Sequence, residues 1–192
     1  MRSGRPALEA GKGRMFFALW PDDAARAALA GLAAGVAAAS GGRAPATANL
    51  HLTLAFIGDV AADRAEALRE VARDVAAEIA PFTLALDRLG AFREGGIAWI
   101  GTAEVPPELA KMALRLARGL AAAGFRTERR AYAPHLTLAR KCRTLPIPAR
   151  TERVTWRVAE LALVESSPQR GGSVYRDDSR WPLAGGFAAG RS

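Results

Sequence analysis

Reactive side chains are scarce in this chain. Its 192 residues include one cysteine and two histidines. The single cysteine, Cys142, excludes an intramolecular disulfide and fits a reducing compartment. Lys141 and Arg143 flank it and favour a thiolate, but no third histidine is left to serve it as a base. Two histidines without neighbouring cysteines or carboxylates make a poor zinc set, and no metal or other cofactor is expected. Long apolar runs are missing too. The longest, Ala27 to Ala39, has thirteen residues, all Ala or Gly apart from Leu29, Leu32 and Val36, where a membrane span needs roughly 20. Met15 to Trp20 is too short for a secretory h-region and stops at Pro21-Asp22-Asp23. A cytoplasmic protein is expected, with no membrane partner. Acidic residues are outnumbered, 19 against 27 Lys and Arg, for a net charge of +8 and a pI near 10.9. That balance favours an anionic partner such as RNA or a nucleotide. A generally Arg- and Ala-rich composition would give the same charge.

What is present is a repeated pentapeptide that uses both histidines: His51-Leu52-Thr53-Leu54-Ala55 and His135-Leu136-Thr137-Leu138-Ala139. The elements around it follow from periodicity. Residues 1–13 carry no pattern and are expected to be a disordered tail. Residues 14–184 are read as one two-lobed domain, and 185–192 as a loose end. A buried strand over 14–20 leads into a helix over about 22–39, where Gly31 and Gly35 offer close packing on a sheet. The first motif strand spans about 49–57. A helix over 61–79 carries Ala65, Leu68, Val71, Val75 and Ile79 on one stripe. Strands at 82–89 and 97–102 follow. A third helix opens at Pro106-Pro107 and is capped by Gly124. The second motif strand covers about 134–140, a long alternating strand 154–165, and a last strand 173–176. The class is α+β. Strand–helix–motif strand occurs twice, with 35 residues from Phe16 to His51 and 38 from Ile97 to His135. This spacing points to two pseudo-symmetric lobes, mainly antiparallel sheets with helices outside and a groove between them.

Alternate side chains of a strand share a face. His51, Thr53 and Ala55 therefore point one way and the leucines the other, and the second copy divides alike. Two such faces across a groove offer two imidazoles and two hydroxyls. One imidazole can take a proton from water and one can protonate a departing sugar oxygen, since histidine titrates near neutrality. The hydroxyls can donate to phosphate oxygens, where charge builds in the transition state. The pattern suits a phosphodiester. Two ordinary core strands, or a noncatalytic RNA-end-binding module, are the competing readings.

The motifs HLTLAF and PHLTLAR resemble the paired HxTx motifs of the two-histidine (2H) phosphoesterases. Together with RMFFALW, GIAWIGT and GGSVYRDDSRWPL they are most similar to the RNA 2′,3′-cyclic phosphodiesterase family, historically called 2′-5′ RNA ligases (ThpR/LigT-like). The resemblance covers about Arg14 to Leu183. It implies a bilobal α+β fold and hydrolysis of 2′,3′-cyclic phosphate ends to 2′-phosphates, with 2′-5′ ligation as a side activity. It also implies His51 as proton donor, His135 as proton acceptor, and Thr53 and Thr137 as phosphate holders. The side chains alone do not tell the two histidines apart. Another small cyclic nucleotide or a 2′-5′ linkage would suit the same site.

Arg140 matches the arginine that often ends the family's second motif. Strict alternation puts it on the leucine face, so a bulge is needed to bring it to substrate; a solvated strand end is the alternative. Phe56 and Tyr132 are candidates for stacking on a base, with core packing as the alternative for Phe56. Arg126, Arg129 and Arg130 could follow an RNA backbone or form a solvated basic loop. The partner expected is an RNA end or a nucleotide, and the state a monomer.

Overall fold

A computed structural model describes residues 13–126, 132–145, 149–169 and 172–184. The tail expected over 1–13, all but Gly13, and the C-terminal end from 185 lie outside these residues, as do Arg129 and Arg130. Among the described residues, eight strands form one antiparallel sheet: β1 (Gly13–Leu19), β2 (Leu52–Val60), β3 (Phe82–Phe92), β4 (Ile97–Gly101), β5 (His135–Ala139), β6 (Ala149–Val158), β7 (Glu160–Gln169) and β8 (Gly172–Pro182). Their spatial order is β6-β3-β4-β5-β2-β1-β7-β8. The order is symmetric about the seam between β5 and β2, the two motif strands. Each motif strand lies beside the strand that opens its own strand–helix–strand unit, β1 or β4.

The seam itself is thin. β2 and β5 are in register at one pair, Leu52 with Leu136. Each backbone hydrogen bond there contributes only about 0.5–1.5 kcal/mol net. The helices join the halves instead. α1 (Asp23–Ser40) leaves β1 and packs on β5 and β6 of the other half, while α3 (Pro107–Ala122) leaves β4 and packs on β2. α2 (Ala65–Glu78) covers β7 and β8 and lies against α3. Fully burying a leucine contributes roughly 1.5–3 kcal/mol. Leu52, Leu136, Leu138, Leu29, Leu109, Leu116 and Leu120 are all fully or nearly fully buried in this layer, so its packing outweighs the seam's hydrogen bonds.

The helix ends follow from sequence chemistry. The Asp22 carboxylate accepts the Ala25 N–H at 2.8 Å and starts α1, and Gly41 at φ 62° ends it. Pro107 opens α3, and beyond its end the Phe125 N–H donates to the Leu120 carbonyl at 2.9 Å, with Gly124 at φ 78°. Gly31 and Gly35 do not pack on the sheet as expected. They face open space, and Ala25 and Ala33 make the close approach.

The alternating run read as one strand over 154–165 is two strands. β6 ends at Val158 on the outer edge of one half, and β7 starts at Glu160 inside the other. Core-side apolar residues run on even positions up to Val158 and on odd positions from Leu161, so the flip across Ala159 is the trace of the switch that a single-strand reading passes over. β8 is longer than expected, Gly172–Pro182, because its charged residues lie on an edge strand and mask the pattern. With the helices on one face, the other face of the sheet is left open.

Candidate active site

Both motifs lie on that open face, on the two strands at the seam. His51 immediately precedes β2 and His135 begins β5. They line one groove of about 1120 Å³, together with Thr53, Thr137, Phe56 and Arg140. The two copies share a local device. His51 Nδ1 lies 2.7 Å from the Asn49 carbonyl, and His135 Nδ1 lies 2.8 Å from the Ala133 carbonyl. A carbonyl only accepts, so each Nδ1–H is the donor. Each neutral ring therefore keeps its lone pair on Nε2. His51 Nε2 lies 3.1 Å from Thr53 Oγ1 and can accept that hydroxyl's proton or, when charged, donate to it.

The surroundings of the two rings differ. Phe16, Trp20 and Tyr175 enclose His51 at centroid distances of 4.9, 5.4 and 5.1 Å. Phe92 stands edge-on to His135 at 4.9 Å, with Trp99 at 6.3 Å. Burial pushes the His51 imidazole below the usual histidine range. The Arg140 and His135 charges act in the same direction, and the bond to Asn49 opposes them.

Strict alternation fails in both copies at the same place. In β2 the register against β1 shifts between Ala18–Thr53 and Phe17–Ala55. In β5 the register against β4 shifts between Trp99–Thr137 and Ala98–Ala139. Leu54 and Leu138 are the extra residues of two β-bulges. The expectation that Ala55 shares a face with His51 and Thr53 is thus corrected: Ala55 packs on the helix-side core. Phe56 turns into the groove and is 55% exposed, which overturns core packing for this ring. The matching residue of the second copy, Arg140, also reaches the groove, so the bulge it requires is present.

Tyr132 is not at the groove. Its ring packs against the core, and its hydroxyl donates to the Thr53 carbonyl at 3.1 Å across the seam. The base-stacking expectation for Tyr132 is corrected accordingly: the ring is committed to packing. Arg126 is exposed but does not line the groove. Sequence reasoning missed the enclosing rings Phe16, Trp20, Tyr175, Phe92 and Trp99, and the groove residues Arg43, Asn49 and Lys141. The aromatic content of RMFFALW was the one available signal for the first two rings. No helix among the described residues is long and apolar enough to cross a membrane.

Known proteins resemble this chain in sequence and in fold. The family model of the 2′-5′ RNA ligase superfamily matches residues 20–170. The RNA 2′,3′-cyclic phosphodiesterase of Escherichia coli is 35% identical over 143 residues, covering 74% of this chain and 80% of that protein. The protein of the same name from Thermus thermophilus is 30% identical over 185 residues, covering 90% and 91%. Among solved structures, E. coli LigT complexed with 3′-AMP superposes with a TM-score of 0.81 at 32% identity, covering 90% of this chain and 98% of that one. The chain belongs to the 2′-5′ RNA ligase superfamily.

Proposed function

We propose that this protein is an RNA 2′,3′-cyclic phosphodiesterase that opens cyclic phosphate ends to 2′-phosphomonoesters by acid–base catalysis between two histidines. The observation that carries the reading is the pair of Nε2 atoms directed into one groove, each with its tautomer set by a carbonyl two residues upstream. The names of the curated relatives support the substrate class. In the reaction, His135 Nε2 takes a proton from water as its oxygen bonds to phosphorus. The P–O3′ bond breaks, and His51 Nε2–H delivers a proton to O3′. Thr53 and Thr137 donate to the nonbridging oxygens, where charge accumulates. Phe56 stacks on the base of the terminal nucleotide, and Arg140 contacts a substrate phosphate.

His51 is held toward its neutral form in the free protein. An anionic phosphate beside it offsets the cost of the buried charge and restores the proton that the donor role needs. The assignment of donor and acceptor follows the family resemblance. A 5′-hydroxyl in place of water gives a 2′-5′ phosphodiester by the same steps, which is the ligase side activity. No step calls for a metal ion. The setting is a cytoplasmic monomer acting on RNA ends. The test is product analysis on an oligonucleotide with a 2′,3′-cyclic phosphate end, with and without EDTA. A 2′-phosphate product at undiminished rate in EDTA is expected. A 3′-phosphate, or no turnover, would remove the proposal.

A further inference from the structure

The groove's cations are not treated alike. Arg14 faces Asp59 at 3.7 Å. Arg43, Arg140 and Lys141 line the same groove, and none has a carboxylate within 4.0 Å among the described residues. Arg43 and Arg140 are moreover opposed across an isolated antiparallel bridge. The Arg43 N–H donates to the Arg140 carbonyl at 2.8 Å, and the Arg140 N–H to the Arg43 carbonyl at 2.9 Å. Residues opposed in this way carry their side chains on one face about 5 Å apart, and like charges there are destabilising. Both guanidiniums are charged at any working pH. Lys141 adds a third charge from a left-handed backbone, φ 57°, which a residue other than glycine adopts at a cost.

This crowding is built into the backbone. A Cβ on Gly42 would sit 2.9 Å from the Arg140 carbonyl oxygen, and one on Gly96 2.9 Å from that of Cys142. The Cys142 N–H donates to Gly96 at 3.0 Å, and the Arg143 and Thr144 N–H groups donate to Ser40 at 2.9 and 3.1 Å. Three like charges are thus held against a cavity where an anion would relieve them. The groove's 1120 Å³ also exceeds the roughly 300–1,000 Å³ of a site for one small molecule, leaving room beyond the reacting nucleotide.

We propose that Arg43, together with Arg140 and Lys141, forms a second phosphate site that holds the phosphoryl group one nucleotide away from the reacting one. This rests on the two-histidine reading above. The second phosphoryl is either the internucleotide phosphate of an RNA end or the 5′-phosphate of a single nucleotide. Three substrates separate these: uridine 2′,3′-cyclic phosphate, its 5′-phosphorylated form, and a uridine dinucleotide ending in the cyclic phosphate. Wild-type kcat/KM should favour a two-phosphate substrate over the one-phosphate substrate. Arg43→Gln should cut that ratio about 10-fold, the scale of one charge-assisted contact, and Arg43→Lys should restore most of it. The salt dependence on the dinucleotide should become shallower by roughly 0.7–1 in log–log slope.

A gain confined to the dinucleotide assigns the site to RNA backbone phosphate, and a gain shared by the 5′-phosphorylated nucleotide assigns it to that terminal phosphate; either supports the site. A wild-type ratio near one, or a ratio that Arg43→Gln leaves intact, overturns it. The same ratios, read as dissociation constants of the 2′-phosphate products, need no turnover. They decide the second site even where the wild-type protein hydrolyses nothing, an outcome that would count against the activity alone.

Discussion

His51 and His135 repeat one local geometry in two different environments, and the difference is measurable. Replacing either by alanine should lower kcat/KM by about 10²–10⁴-fold, the range for a general acid or base, as read in a cyclic-phosphate hydrolysis assay. The enclosed ring gives a second, independent signal. The folded-state pKa of His51 lies below its unfolded value of about 6.5. Its contribution to stability is therefore complete above pH 6.5 and is lost as pH falls toward the folded pKa, because the unfolded chain takes up the proton first. Urea midpoints should drop between pH 7.5 and pH 5, and His51→Asn should lose part of that drop. An equal drop in both proteins would show that burial of His51 is not its source. That these two residues share one groove was legible in the pentapeptides alone. The rings around them were not, because Tyr175 and Phe92 come from strands far away in the chain, and nothing in a linear pattern brings them to a histidine.

At the scale of the element, the two bulges matter most. Each lets a motif strand carry its histidine and threonine on the open face and then return residue five of the motif to the core. The next side chain, Phe56 or Arg140, then enters the groove. Parity gave the right faces up to Thr53 and Thr137 and the wrong ones after them. A run of Leu-Thr-Leu-Ala has no glycine or proline to mark an inserted residue, so the bulge is visible only in the partner strand's register. β3 and β4 carry a related dependence. Gly90 is opposite Trp99, and a Cβ there would sit 2.2 Å from the indole ring. Gly90→Ala should cost about 1–3 kcal/mol, as overpacking does, and should lower hydrolysis by shifting the ring beside His135. Adding Trp99→Phe should recover part of the stability, and a double-mutant cycle in urea would show the coupling. Additive losses would mean that the two residues do not share the strain.

Across the whole molecule, the duplication seen in the spacing of the two motifs corresponds to the symmetric strand order on either side of the seam. The exchange of helices between halves was not legible, since amphipathic stripes in α1 and α3 specify a buried face and not the sheet it meets. Tyr132 adds a polar tie across the same seam. Tyr132→Phe should cost about 0.5–1.5 kcal/mol, the net value of one hydrogen bond, and should depress kcat more than KM by loosening Thr53; unchanged kcat would limit Tyr132 to packing. The passage through Ala159 has a consequence of another kind. β1, the earliest of the described strands in chain order, is paired on one side by β7, so Phe17 waits for Leu163. Until then a nascent chain presents an apolar strand with an unmatched edge. Contacts so distant in sequence close slowly. Release from the ribosome before residue 169 should therefore leave a chain that depends on chaperones or aggregates, and neither half should be recoverable as an autonomous fragment.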